Sequence, residues 1–204
     1  MSSVTRRTPG RDRRAAAEAD ILAALGRLLA DGASFTELGV QQIAEEAGIG
    51  RSTFYIHFRD KTDLLIRLAE QSTRELFAVA AGWTDSDERE VLVDTLRVVI
   101  EQRREHAPAL RALEEVAHYD ADVAEAWRRM VGSNVELVRK RVERDQERGL
   151  IAADVNAELT ASFLTWGTER FVGQHVDAGC DARDGEVAES IARTVWLAMY
   201  GRLD

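Results

Sequence analysis

Apolar residues recur along this chain at helical spacing, and strict alternation is rare, so the pattern predicts helices from end to end. The first runs from about Asp12 to Leu29, with Ile21, Leu22, Leu25, Leu28 and Leu29 as its apolar stripe and Asp31-Gly32 as its stop. Val40, Ile43, Ala44 and Ala47 then form one short apolar face, while Gln41, Gln42, Glu45 and Glu46 turn away. Gly48 follows where a helix end needs positive φ. Ile49 plugs the corner, and the next helix starts near Gly50 or Arg51. Phe54 and Phe58, four apart, share its buried side and leave Arg51, Ser52, Thr53, Tyr55, Ile56 and His57 outward. Asp60 reads as the N-cap of a further helix, with Asp63 as a weaker capping-box partner. Two short helices joined by a tight turn and followed by a third, over Val40–Leu65, is the layout of a helix-turn-helix.

The helix opened by Asp60 continues through Leu64, Leu65 and Leu68 and past Leu76 as a connector into a second domain. A loop is expected over Gly82–Asp87, then a helix carrying Val91, Leu92, Leu96, Val99 and Ile100. Pro108 marks a short helix with Leu110, Leu113 and Val116 on one side, and residues 118–122 form a polar connection. A long helix runs from Val123 to about Arg148 and stops at Gly149; two more follow at roughly 156–176 and 185–201. The expectation is an all-α chain of nine helices. Its parts are a basic arm (1–14), a three-helix helix-turn-helix domain (15–65) and a helical ligand-binding and dimerisation domain (66–204).

Charge sharpens that division. The net charge of −9 looks wrong for a partner of nucleic acid, but residues 1–61 carry +1 and residues 62–204 carry −10. Arg6, Arg7, Arg11, Arg13 and Arg14 crowd into nine residues, a flexible basic arm suited to phosphates or an adjacent minor groove. Overall acidity disfavours a nonspecific nucleic-acid coat, which needs a basic surface throughout. No stretch approaches the roughly 20 apolar residues of a membrane span, and no apolar secretory core opens the chain, so a soluble cytoplasmic protein is expected. Cys180 is the only cysteine, which leaves no intramolecular disulfide and no cysteine-based zinc site. His118, Asp120 and Asp122, with Glu114 or Glu115 a turn earlier, have the spacing of a solvated turn rather than a metal site. Phosphate loops, nucleophile elbows and HExxH are missing too, so no enzyme, cofactor or metal is expected.

The pattern V-x-x-I-A-x-x-A-G-I-x-R-x-T-F-Y-x-H-F-x-D-K-x-x-L-L, from Val40 to Leu65, resembles the DNA-binding domain of the TetR family of transcriptional regulators. That resemblance implies a double-stranded DNA operator as partner. Arg51 and Ser52 would face base edges, with Arg51 suited to a bidentate contact on guanine. Thr53, Tyr55 and His57 would bond phosphates, Ile56 would meet a thymine methyl, and Lys61 would meet a phosphate at the start of its helix. Gly39 and Gly50 stand where the family often has Ser or Thr at helix N-caps, at a cost of only a few tenths of a kcal/mol. A dimer reading a palindromic operator is implied. Its interface would use the last two helices, through Leu159, Phe163, Trp166, Phe171, Ile191, Val195, Trp196 and Met199. The same residues would otherwise fill the monomer core.

The segments at 123–127, 147–149, 158–171 and 195–201 are similar to the EthR-like branch of that family, which implies a largely apolar ligand tunnel. Carried over by position, its lining would be Leu92, Leu96, Val99 and Arg103, then Trp127, Val131, Asn134, Leu137 and Val138. Thr165, Thr168, Glu169, Val172 and Trp196 would complete it. Glu169 would face a ligand or pair with Arg170 or Arg103. The effector expected is small, hydrophobic or amphipathic, and it would release a repressor from DNA by shifting the population of conformations. The rival readings are a helical interaction protein without DNA binding and an activator of the same family.

Overall fold

The computed structural model describes residues 9–84 and 88–201, with side chains from Arg13 onward. Among these residues all regular structure is helical, as nine α-helices and one short 3-10 turn at Asp181–Arg183. The helices are α1 (Pro9–Ala30), α2 (Val40–Glu46), α3 (Arg51–His57), α4 (Lys61–Thr84) and α5 (Arg89–Glu105). They continue with α6 (Ala107–Ala117), α7 (Ala121–Glu147), α8 (Ala157–Asp177) and α9 (Asp184–Tyr200). The chain divides into two compact units: residues up to Ala69 with Pro108–Val123, and Glu70–Ala107 with the residues from Ala124 onward.

Two expected boundaries move. Helix α1 is described from Pro9, ahead of the expected Asp12, and it carries Arg13 and Arg14. Proline suits such a start, because its missing N–H is one a first turn leaves unbonded anyway. Arg6 and Arg7 fall outside the described residues, as does the side chain of Arg11. The loop expected at Gly82–Asp87 begins in helix: α4 carries Gly82, Trp83 and Thr84, and Asp85–Asp87 lie outside the described residues. One glycine inside a helix costs only about 1 kcal/mol, which the burial of Trp83 offsets.

In the first unit α1 packs against α2 and α3, and α2 against α3. Ile21, Leu25, Ile43, Ala44, Phe54, Phe58, Leu64 and Leu65 are all but fully buried. Phe54 and Phe58 meet with ring centroids 5.7 Å apart. The α2 stop is the one the sequence requires. Gly48 has φ +69°, its N–H donates to the Glu45 carbonyl at 3.0 Å, and the Ile49 N–H donates to the Ala44 carbonyl at 2.9 Å. That six-to-one bond with its inner five-to-two partner closes the helix and aims the chain into α3.

In the second unit α5 packs against α8 and α9, around a core that includes Leu92, Leu96, Ile100, Val142, Val172 and Trp196. A polar group sits inside it. Asp145 is completely buried, and its Oδ2 accepts from the Tyr200 hydroxyl at 2.6 Å and from Arg141 Nε at 3.1 Å. Arg141 Nη1 donates to the Trp83 carbonyl at 2.6 Å, and Arg144 Nη1 to the Thr84 carbonyl at 2.7 Å. Arginines of α7 therefore reach the carbonyls of the last two described residues of α4. Burial alone would push the Asp145 carboxyl up. The Tyr200 hydroxyl and the charges of Arg141 and Arg144 outweigh it and hold the group below the usual carboxylate range. Burial and the same carboxylate push the Tyr200 phenol up to about 12.

Candidate nucleic-acid interface

Helix α3 divides into two faces because its two phenylalanines are four residues apart. Phe54 and Phe58 point into the first unit, which turns the intervening positions outward. Arg51 and Ser52 are exposed, Tyr55 is 48% and Ile56 63% exposed, and Thr53 and His57 are half-buried. A large aliphatic residue so open to solvent on a seven-residue helix contributes nothing to the core, and it is free to meet a partner. The Arg51 guanidinium lies 5.7 Å from the Tyr55 ring centroid, with Nη2 3.4 Å from the hydroxyl. Stacking pre-orders the guanidinium at the amino end of α3. Nδ1 of His57 is buried without a hydrogen-bond partner among the described residues.

Three neighbours fix this helix. Gly50 is its N-cap with φ −79° and ψ 150°, and no side chain takes the cap hydrogen bond. Arg14 Nη2 donates to the Ile56 carbonyl at 3.4 Å, a basic group at the carboxy-terminal end where the helix dipole favours one. The following turn is closed by Asp60, whose Oδ1 accepts from the Asp63 N–H at 2.8 Å, while Asp63 Oδ2 accepts from the Arg59 N–H at 3.1 Å. This is the expected cap, shifted by one residue in its return bond. Burial opposes ionisation of Asp60, but the Asp63 N–H and the bond and charge of Arg59 leave its carboxyl below the ordinary range.

Lys61 opens α4, and its side chain turns to the α1–α2 connection. Its Nζ donates to the carbonyls of Phe35 at 2.9 Å, Thr36 at 3.0 Å and Leu38 at 2.9 Å, and it lies 4.9 Å from the Phe35 ring centroid. An ammonium has three protons, and in this arrangement each is directed at a carbonyl inside the unit. Sequence spacing placed Lys61 at a helix start. It carried no information about which carbonyls converge there.

The residues expected to line a ligand tunnel are brought together only in part. Leu92, Leu96, Val138, Val172 and Trp196 share the core of the second unit, and Arg103 is buried at its edge. The Arg103 guanidinium lies against Gly173 of α8, so close that a Cβ there would come within 2.9 Å of Nη2. The hydroxyl of Thr165, on the same side of α8, is buried without a hydrogen-bond partner among the described residues. Val131 is buried outside that cluster, and Val99, Trp127, Asn134, Leu137 and Glu169 are half-buried. Thr168 is half-buried and lines an open groove between α8 and α9.

That groove has a volume of about 290 Å³, and its walls are chiefly Phe163, Leu164, Phe171, Ile191 and Val195. Phe163 is 77% and Leu159 67% exposed, whereas Ile191, Val195, Trp196 and Met199 belong to the core of their own unit. Of the residues expected at a dimer interface, Leu159, Phe163 and Phe171 on α8 are exposed, Trp166 is half-buried, and those on α9 are buried. Among the described residues no group of three or more His, Cys, Asp or Glu could hold a metal ion, and no helix is long and apolar enough to cross a membrane.

Comparison with known proteins places these features. A family model described as bacterial regulatory proteins, tetR family, matches residues 21–68. The HTH-type transcriptional regulator EthR of Mycobacterium tuberculosis is 27% identical over 170 residues, covering 81% of this chain and 76% of that protein. EthR of Mycolicibacterium smegmatis is 27% identical over 193 residues, covering 91% and 87%. A TetR transcription regulator from Haloarcula marismortui has the same fold, with a TM-score of 0.71 at 20% identity, over 91% of this chain and 98% of that one.

Proposed function

We propose that this chain, a TetR-family transcriptional regulator with EthR-like similarity, is a ligand-responsive repressor that binds a palindromic DNA operator as a dimer. The observation that carries the reading is the outward face of α3. Arg51, Ser52, Tyr55 and Ile56 stand exposed on a helix whose other side is locked by Phe54 and Phe58. Arg51 reads a base edge, Thr53 and Tyr55 bond phosphates through their hydroxyls and His57 through its ring, and Ile56 packs on a thymine methyl. Symmetry doubles the few base pairs that one such helix covers. The second copy docks on the exposed apolar face of α8, through Leu159, Phe163 and Phe171. The effector is a small, largely apolar molecule bound in the second unit, among Leu92, Leu96, Val138, Val172 and Trp196. It acts by favouring a conformation with weaker operator affinity.

The test is selection of duplexes from a random pool by the purified protein, followed by titration at two salt concentrations. Recovery of a palindrome, with the Arg51→Ala variant weakened by about 1–3 kcal/mol and less selective at one base pair, supports the reading. Failure to enrich any sequence by the folded protein ends it. In parallel, Phe163→Asp is expected to convert the dimer to monomer in sedimentation. A variant still dimeric would remove α8 from the interface.

A further inference from the structure

Lys61 is the residue whose surroundings fit its sequence-based role least. The chain has two lysines, Lys61 and Lys140, against twenty-five arginines, so arginine serves at almost every cationic position. A planar guanidinium forks its donors outward, whereas an ammonium presents three protons to a converging cage. Around Lys61 the carbonyls of Phe35, Thr36 and Leu38 form such a cage, with the Phe35 ring beside it. These carbonyls belong to the connection between α1 and α2, where no helical ladder supplies donors. That connection ends at Gly39, the N-cap of α2, which offers no capping side chain; the Gln42 side chain accepts from its N–H at 2.8 Å instead. The entry to α2 is therefore held by two groups, Gln42 from within and Lys61 from the first turn of α4. Helix α2 in turn packs on α3, through the buried Ile43 and Ala44. Burial also lowers the pKa of the Lys61 ammonium, in keeping with a group withdrawn from solvent.

We propose that Lys61 is a positioning residue for DNA binding rather than a phosphate contact: its ammonium staples the α1–α2 connection to α4 and so sets α2 beneath the reading helix. The proposal rests on the DNA-binding reading, but one arm of its test does not. In that arm the full-length protein without DNA is acylated with an N-hydroxysuccinimide acetate, and both lysines are followed by mass spectrometry. Lys140, whose side chain is 65% exposed, is the reference. Lys61 is expected to react at least about tenfold more slowly, because its bonds to three carbonyls must break before the amine can attack, a cost that outweighs its lowered pKa. Reaction as fast as Lys140 would overturn the staple.

The second arm titrates Lys61→Met and Lys61→Arg with a duplex selected by the wild-type protein, at a temperature where circular dichroism shows wild-type helicity for both. Both variants are expected to bind at least about tenfold more weakly, the factor that one charge-assisted hydrogen bond is worth. The slope of log affinity against log salt should stay at the wild-type value in Lys61→Arg. In Lys61→Met, loss of a phosphate contact would instead lower it by about 0.9. Such a loss of slope, or recovery of affinity by Lys61→Arg, would overturn the proposal, since charge alone would then suffice. Unchanged affinity in both folded variants would overturn it as well, by reducing Lys61 to a stabilising residue. If no duplex is selected at all, the DNA-binding reading falls, while the acylation arm still decides whether the staple exists.

Discussion

Asp145→Asn is the substitution whose cost the structure defines best. The carboxylate is completely buried, and asparagine keeps its shape while removing its charge. Arg141, with a side chain only 1% exposed, would keep its bond to the Trp83 carbonyl but lose its counter-ion. The Tyr200 hydroxyl would lose a charged acceptor at 2.6 Å. Removing one partner of a buried ion pair costs about 3–5 kcal/mol, mostly because the other charge stays buried and unmatched. For a chain of this size, at roughly 2–4 °C per kcal/mol, the melting temperature should fall by about 6–20 °C. The pH dependence gives the sign. The folded pKa of Asp145 lies below its unfolded value, so its contribution is complete above the unfolded pKa and disappears as pH falls through the folded one. Thermal unfolding followed by circular dichroism at pH 7, and again at pH values falling below 4, should show a wide gap between wild type and variant that narrows in acid. A variant melting within about 2 °C of wild type at pH 7 would refute the account, because a shift so small is under about 1 kcal/mol and matches an exposed pair.

Two further outcomes follow from backbone and packing. Gly48→Ala places a Cβ at φ +69° and should cost about 1–2 kcal/mol in denaturant unfolding, although nothing lies within 4 Å of that Cβ. A neutral result would mean that the α2 stop relaxes freely. Gly173→Ala drives a methyl to within 2.9 Å of the Arg103 guanidinium, which is buried at 4% exposure, and should lose about 1–3 kcal/mol of stability by overpacking. Restoration of stability by Arg103→Met in the same background would confirm that the clash is with that side chain, and no restoration would place the strain elsewhere.

Local structure and the outward face of α3 were legible in the amino-acid sequence. Periodicity located the helices, Gly48 and Asp60 marked where they stop and start, and the four-residue spacing of Phe54 and Phe58 decided which α3 side chains point outward. Each of these follows from one turn of helix geometry, so no distant part of the chain is needed to read it. Tertiary structure alone decided what the charged side chains do. Lys61 was legible as a cation at a helix start, yet the three carbonyls that occupy it lie 23 to 26 residues away. Asp145 stands among charged residues near the end of a long helix; Tyr200, 55 residues on, and the Trp83 carbonyl near Arg141 make it the centre of a buried group. Apolar burial depends on a residue's own helix face. The state of an ion depends on which partners the whole chain folds around it, because desolvation and hydrogen bonding are settled only within a few ångströms.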